Sequence, residues 1–216
     1  MSTRIENTVT AGTFSLDGGT WEVENNVWVI GDDERCVVID PAHDLEAVAG
    51  LVGDREVTAI LLTHAHDDHA GLAPEASLRF GAPVLLHPED RPLWLLANPD
   101  TDVQPQPLSE GQRIPAGGAT LTVLHTPGHS PGSVCFLSED LSWEGSSPVV
   151  FSGDTLFQGG PGATGRSFSD FPTIIDSITE KLLSLDPGTA VLTGHGETTT
   201  IGAEAPHRQE WIDRGH

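Results

Sequence analysis

Four short clusters in the chain carry side chains able to hold a metal ion: His64-Ala65-His66-Asp67-Asp68-His69, Thr126-Pro127-Gly128-His129-Ser130, Ser152-Gly153-Asp154-Thr155 and Thr193-Gly194-His195-Gly196. Imidazole nitrogens with a few carboxylates suit zinc, and also iron or manganese; thiolate-rich sites form a different class, and no cluster contains cysteine. Together the donors are His64, His66, Asp68, His69, His129, Asp154 and His195. That is too many for one ion, since a structural zinc takes about four ligands and a catalytic zinc about three. The set fits two divalent ions sharing one bridging carboxylate, with room for a bridging hydroxide. Such a hydroxide is available at neutral pH, because a bound cation lowers the pKa of water to about 7. The expected chemistry is hydrolysis of an activated carbonyl without a serine or cysteine nucleophile, with Asp68 and Asp154 as the catalytic carboxylates and Asp68 orienting the hydroxide. A single histidine is more often solvated than ligating, but five ionisable side chains packed into residues 64–69 cost desolvation energy with little structural return. Asp67 is read as a solvated or helix N-terminal residue.

Residues 28–30 and 36–39 are apolar around the turn-prone Gly31-Asp32-Asp33, a hairpin leading to a strand that ends at Asp40. Pro41 breaks it, and Leu45, Val48, Ala49 and Val52 then recur at helical spacing. The apolar run 57–62 passes straight into the first cluster, so a strand–helix–strand unit delivers the donors to a strand's C-terminal end. Beyond Ala70 the spacing predicts a helix to about Phe80, a strand over 83–86, a short helix over 88–96 carrying Trp94, and a polar loop over 98–107. Short strands are expected over 119–124, 133–137 and 149–152, then a helix over 173–185, a strand over 190–193 and a last helix over 205–213. The last three clusters each follow an apolar strand and set the donor beside glycine, where the backbone turns sharply and approaches an ion. No repeat is present, and the pattern predicts one α/β domain over residues 1–216 with two sheets and outer helices.

The balance of 10 Lys+Arg against 32 Asp+Glu, a net charge of −22, disfavours nucleic acid and anionic membrane partners, which both recruit cations. The N-terminal residues lack a signal-peptide pattern and no apolar run approaches the ~20 residues of a membrane span. The expectation is a cytoplasmic protein acting on a small-molecule substrate, as a monomer or small homo-oligomer. Cys36 and Cys135 lie inside apolar runs and read as buried free thiols. His43, His87, His207 and His216 stand at turns or near the end and are read as surface or structural residues, whereas His125 is close enough to support His129 but is left outside the site. Asp40 either orients a metal ligand or caps its strand.

The motif His64-x-His66-x-Asp68-His69, followed in order by His129, Asp154 and His195, resembles the metallo-β-lactamase superfamily, in the branch similar to glyoxalase II. The resemblance covers nearly the whole chain and implies a four-layer αββα sandwich. It also implies that His64, His66 and His129 hold one metal, Asp68, His69 and His195 a second, and Asp154 bridges them, zinc being the expected metal. Within that superfamily, Asp154 stands where one class of β-lactamases uses cysteine. The acyl-homoserine lactonases use an active-site tyrosine, which this chain lacks altogether. RNA-processing members need a basic surface, and the flavin-linked diiron members place glutamate at the position of His66.

What remains is a binuclear metal-dependent hydrolase of a small thioester acting through a metal-bound hydroxide, and Gly153-Asp154-Thr155-Leu156-Phe157 resembles the glyoxalase II pattern. Glyoxalase II proper adds a helical domain that grips glutathione, whereas this chain runs only about twenty residues past His195, so that domain is not expected here. Nine arginines to one lysine suggest a high-GC genome such as those of actinobacteria, which use mycothiol in place of glutathione, making a mycothiol thioester a candidate substrate. Arg166, in the glycine-rich segment 159–166, is one of few cations able to meet an anionic substrate group. Trp94, Phe157 and Phe168 are candidates for pocket lining or for core. The alternatives are a mononuclear iron persulfide dioxygenase using His64, His129 and Asp154 alone, a hydrolase of a lactone or other ester, and a non-catalytic metal-binding module.

Overall fold

The computed structural model describes residues 3–215. Strands β1 (Arg4–Leu16) and β2 (Gly19–Gly31) form a long antiparallel hairpin. Its turn is Asp17-Gly18, with φ of 53° and 79°, the left-handed pair that a two-residue hairpin turn needs and Asp-Gly supplies. Strand β3 (Arg35–Ile39) pairs with β2, and helix α1 (Leu45–Val52) follows, capped by the Asp44 carboxylate, which accepts the Ala47 N–H at 3.0 Å. Strand β4 (Glu56–Leu61) lies parallel to β3, and helices α2 (Asp67–Ala70) and α3 (Ala73–Phe80) lead to β5 (Val84–Leu86). After a 3₁₀ turn at Pro88–Asp90, helix α4 (Arg91–Ala97) precedes β6 (Gln106–Pro107), completing a first sheet in the order β1-β2-β3-β4-β5-β6.

The second half repeats the layering. Strands β7 (Arg113–Ala116), β8 (Ala119–His125), β9 (Val134–Ser138) and β10 (Val149–Gly153) are followed by a small hairpin, β11 (Leu156–Phe157) and β12 (Gly160–Pro161). Helix α5 (Phe171–Ser177) widens into a π-helical turn at Ile178–Leu182. Strand β13 (Ala190–Thr193) returns parallel to β10, and β14 (Thr199–Thr200) and helices α6 (Ile201–Glu204) and α7 (Arg208–Arg214) end the fold. The second sheet runs β14-β13-β10-β9-β8-β7.

Strand alternation makes three cores out of two sheets. Trp28 and Ile30 of β2 and Val37 and Ile39 of β3 face Phe136 and Phe151 of the other sheet. Their neighbours Val27, Val29, Cys36 and Val38 point outward, under α1, α3 and α4. On the far side Cys135 and Val150 meet Ile174, Ile178 and Trp211 from the helices α5 to α7. The result is the expected four-layer αββα sandwich. The two cysteines are free and buried in different cores, as expected.

The expected hairpin is β2 with β3, and sequence periodicity missed β1, the distal part of β2 and β7. The expected last helix is divided, since Pro206 in the 3₁₀ turn Ala205–His207 cannot continue the α-helical bonding of α6. The expected loop 98–107 holds apart from the short β6. Among the described residues, no helix is long and apolar enough to cross a membrane.

Candidate metal centre

The four donor-bearing segments leave β4, β8, β10 and β13 at one end of the sandwich. Residues 62–66 turn over the edge of β4, and His66 is extended (φ −64°, ψ 151°) just before α2, which carries Asp68 and His69. His129 sits in the β8–β9 connection, Asp154 directly after β10 and His195 two residues beyond β13. Glycines make the approach possible: at Gly194 a Cβ would run into Asp154 Oδ1 and the His69 ring, and Gly153 has φ +49° with Thr63 against it.

The imidazoles converge in two groups. Nε2 of His64 and Nε2 of His129 each lie 3.0 Å from Nδ1 of His66. Nε2 of His69 lies 3.1 Å from Nε2 of His195 and 3.4 Å from Asp68 Oδ2, itself 3.3 Å from His195. Asp154 spans the groups, with Oδ2 3.5 Å from His129 Nε2 and 3.3 Å from His195 Nε2, and Oδ1 3.4 Å from His69 Nε2. All seven expected donors are therefore brought together in one place.

The second nitrogens explain why the first ones face inward. Nδ1 of His129 donates to the Ala163 carbonyl at 2.8 Å and Nδ1 of His195 to that of Glu24 at 2.7 Å. Nδ1 of His69 donates to Asp40 Oδ2 at 3.0 Å. Nδ1 of His64 donates to Thr63 Oγ1 at 3.1 Å, and that hydroxyl donates in turn to Asp40 Oδ2 at 2.6 Å. With these protons placed outward, Nε2 of His64, His69, His129 and His195 and Nδ1 of His66 all point into a common space, an arrangement suited to a cation. Bonds of about 2.0–2.1 Å to a tetrahedral ion set donors about 3.3 Å apart, close to the spacings present. Asp154 Oδ1, buried and without a hydrogen-bond partner, is a further sign that these residues fit a cation.

Electrostatics divide the centre. Burial, helped by His129, pushes the His66 pKa down to about 3, and burial holds His64 well below its ordinary value. Burial also opposes charge on His195 and His69, but the carboxylates outweigh it: Asp154 and Asp68 carry His195 up to about 10 and His69 well above its usual range. Burial alone would raise Asp68, yet His69 and His195 bring it down to about 2. One group is a neutral nest of nitrogens; the other holds protons where a cation would go.

Asp40 orients His69 directly and His64 through Thr63, which settles its role. Three further residues escaped sequence reasoning. Asn25, fully buried, donates to Asp68 Oδ2 at 3.0 Å while its Oδ1 faces His43 Nε2 at 2.8 Å, so His43 is a structural support. Asp90 accepts from Ala65 N (2.9 Å), Ser130 Oγ (2.7 Å) and Gly132 N, tying the His64–His66 turn to the His129 loop. Phe14 of β1 lies 5.0 Å from the His66 ring and stacks on Trp21 of β2. The Asp17-Gly18 pair was the available signal for the hairpin that carries both aromatics.

Asp67 lies in the first turn of α2, half-buried, and accepts the Ser15 N–H at 3.0 Å. His125 donates to the Pro131 carbonyl at 3.0 Å, bracing the His129 loop without touching His129. His87 stacks on His125 with 4.0 Å between centroids and 19° between planes, so although Glu89 is near, no cation can lie in both ring planes. His207 pairs with exposed Glu210, and His216 lies outside the described residues.

A cavity of about 1250 Å³ opens on His66, Asp68, His129, Asp154 and His195. Phe14, Phe157 and Arg166 line it as well, whereas Trp94 is buried in the helix-side core and Phe168 is exposed away from it.

The model of the metallo-beta-lactamase superfamily matches residues 20–195. The chain is 35% identical over 196 residues to the probable metallo-hydrolase YqgX of Bacillus subtilis, covering 84% of this chain and 90% of the relative. It is 34% identical to hydroxyacylglutathione hydrolase GloC of Haemophilus influenzae, with the same coverage of 84% and 90%. The crystal structure of TTHA1623 in a di-iron-bound form superposes with a TM-score of 0.73 at 36% identity, covering 91% of this chain and 96% of that one.

Proposed function

The chain belongs to the metallo-β-lactamase superfamily, and on that footing we propose that it is a binuclear metal-dependent hydrolase of a small thioester. In this reading His64, His66 and His129 hold one divalent ion, Asp68, His69 and His195 the other, and Asp154 joins them. The observation that carries it is the span of Asp154, whose two oxygens lie within 3.5 Å of nitrogens from both groups. Bound there, such ions supply Lewis acidity and a water acidic enough to attack at neutral pH. Zinc suits the donors best, and iron, bound in the similar TTHA1623 structure, is the alternative.

The protein's own part is positioning. Asp68, held by Asn25, faces the cavity and orients the attacking water by accepting its proton at Oδ. Asp154 keeps the two donor groups in register. Phe14 and Phe157 cover apolar parts of the substrate and exclude bulk water, and Arg166 meets an anionic part. The likeness to GloC supports a thioester over other activated carbonyls, and the thiol carrier is glutathione or mycothiol. A second donor group that is complete, with Asp68 and His69 buried, supports two ions over a mononuclear dioxygenase.

The test is hydrolysis of acyl-glutathione and acyl-mycothiol thioesters by zinc-loaded protein, alongside Asp154→Ala. Loss of at least a hundredfold in kcat together with loss of bound metal is expected. Hydrolysis of none of these thioesters by protein with two ions bound refutes the reading.

A further inference from the structure

The chain has few cations, and Arg166 is the one that lines the large cavity. Its guanidinium carbon lies over the Trp21 ring, 4.1 Å from the centroid, and 5.4 Å from the centroid of Phe14. A cation–π contact of this kind anchors the guanidinium beside the rings without using its N–H groups. Among the described residues no carboxylate forms a salt bridge with Arg166, and its side chain makes no hydrogen bond, in a protein with 32 acidic residues.

The surroundings hold the guanidinium in place. Ser169 Oγ accepts the Arg166 N–H at 3.1 Å and donates to the Arg166 carbonyl at 2.7 Å, which closes the loop on itself. The next residue, Ser167, donates its N–H to Asp17 Oδ2 at 2.9 Å, locking the loop to the tip of the β1–β2 hairpin. Phe14 touches both Arg166 and, at 5.0 Å, the His66 ring, so the guanidinium stands within about 10 Å of that ring. Glu22, Glu24 and Glu197 line other parts of the same cavity. A single fixed fork among carboxylates suits one planar anion and repels a polyanionic carrier.

Building on the thioesterase reading above, we infer that the substrate carries one carboxylate a few bonds from the scissile carbonyl, received end-on by Arg166, and that phosphate-rich carriers are rejected. The carboxylate can stand on the acyl part or on the thiol part. Both sources share the same recognition chemistry: two parallel N–H···O bonds to a guanidinium anchored by Trp21.

Two substrate pairs separate the sources. Adipyl and adipamoyl thioesters of N-acetylcysteamine differ only by acid against amide at the acyl end; acetyl thioesters of 3-mercaptopropionate and 3-mercaptopropionamide differ likewise at the thiol end. A charge-assisted hydrogen-bonded pair predicts an acid-over-amide ratio in kcat/KM of roughly 10- to 100-fold for one of the pairs. The ratio falls to about one in Arg166→Gln and partly recovers in Arg166→Lys, which restores charge without the fork. The shift is expected in KM more than in kcat.

A ratio near one in the native protein for both pairs, or a ratio unchanged in Arg166→Gln, overturns the inference. If no thioester is cleaved, the hydrolase reading fails separately. Binding of adipate against the diamide adipamide, followed by the fluorescence of half-exposed Trp21, then decides: tighter adipate binding that vanishes in Arg166→Gln upholds carboxylate recognition, and equal binding of the two refutes it.

Discussion

On the two-ion reading, replacing Asp40 by asparagine should weaken binding of the ion held by Asp68, His69 and His195. Asp40 is 2% exposed and accepts three hydrogen bonds, from Thr63 N (2.8 Å), Thr63 Oγ1 (2.6 Å) and His69 Nδ1 (3.0 Å). Its φ of 49° is left-handed, a conformation asparagine tolerates and alanine does not, so Asn isolates the hydrogen bonding from backbone strain. In Asp40→Asn the amide oxygen keeps the Thr63 N–H and the amide nitrogen takes the place of Oδ2. That nitrogen donates, so His69 Nδ1 must become an acceptor and the ring proton moves to Nε2, where it faces Asp68 and Asp154 and blocks a cation. His64 still has Thr63 Oγ1 as an acceptor. Loss of such an outer partner weakens metal binding about 10- to 100-fold, or about 1.4–2.7 kcal/mol. Asp40→Ala would instead strand three buried donors at about 1–3 kcal/mol each, which approaches the whole stability of a domain. The assay is metal content and Kd for zinc against a competing chelator: two ions per chain in the native protein, one tight and one weakened in Asp40→Asn. Two ions bound with unchanged affinities would refute the argument that Asp40 selects the tautomer of His69.

Zinc loading of metal-free protein at pH 7 should release about two protons per chain, because His195 (about 10) and His69 are protonated there and a metal ligand must be neutral; calorimetry in buffers of different ionisation enthalpy measures this, and no release would contradict it. By the same shift, the His195 contribution to the stability of metal-free protein is fully present below its unfolded pKa of about 6.5 and is lost as pH rises toward 10, so the melting temperature should fall across that window. Gly194→Ala should abolish tight binding at the second ion with the far-ultraviolet circular dichroism unchanged, since a Cβ there meets Asp154 Oδ1 and the His69 ring. Burial pushes both cysteine thiols up to about 11, leaving roughly 0.1% thiolate at pH 8, so a disulfide-exchange reagent should find no reactive thiol in native protein and two after denaturation.

The donors were legible in the sequence because they are local. A buried strand running into His64-x-His66-x-Asp68-His69 and three strand-then-glycine clusters state their purpose within a few residues, and the fold needs only to bring four strand ends to one edge. Of the supports, only Asp40 was offered by the sequence, as one of two readings, because each acts across a long stretch of chain. Asn25 reaches Asp68 across 43 positions, Asp40 reaches His69 across 29 and Asp90 reaches Ala65 across 25. Nothing in the residues around Asn25 or Asp90 distinguishes them from surface polar groups until the sheets are assembled. The hairpin was missed for a different reason: much of β1 and the distal half of β2 lack a sustained buried alternation, as exposed and half-buried residues there project beyond the sandwich.

That projection is what separates the chemistry from the selection of substrate. The donor groups are anchored by core strands, with Val149 to Phe151 and Ala190 to Leu192 all buried, so their geometry is paid for by the stability of the whole fold. The cavity wall is built from outlying pieces: Phe14 and Trp21 on the hairpin, Arg166 on a loop, joined by the Asp17–Ser167 hydrogen bond. Substitutions in those pieces leave the three cores untouched and cost little stability. Changes at Trp21, Asp17 or Arg166 should therefore alter KM and substrate preference while metal content and melting temperature hold, whereas changes at Asn25, Asp40 or Asp90 should alter metal content and stability together. A Trp21→Ala variant that lost zinc, or an Asp90→Ala variant that kept native metal affinity and melting temperature, would show that this division is wrong.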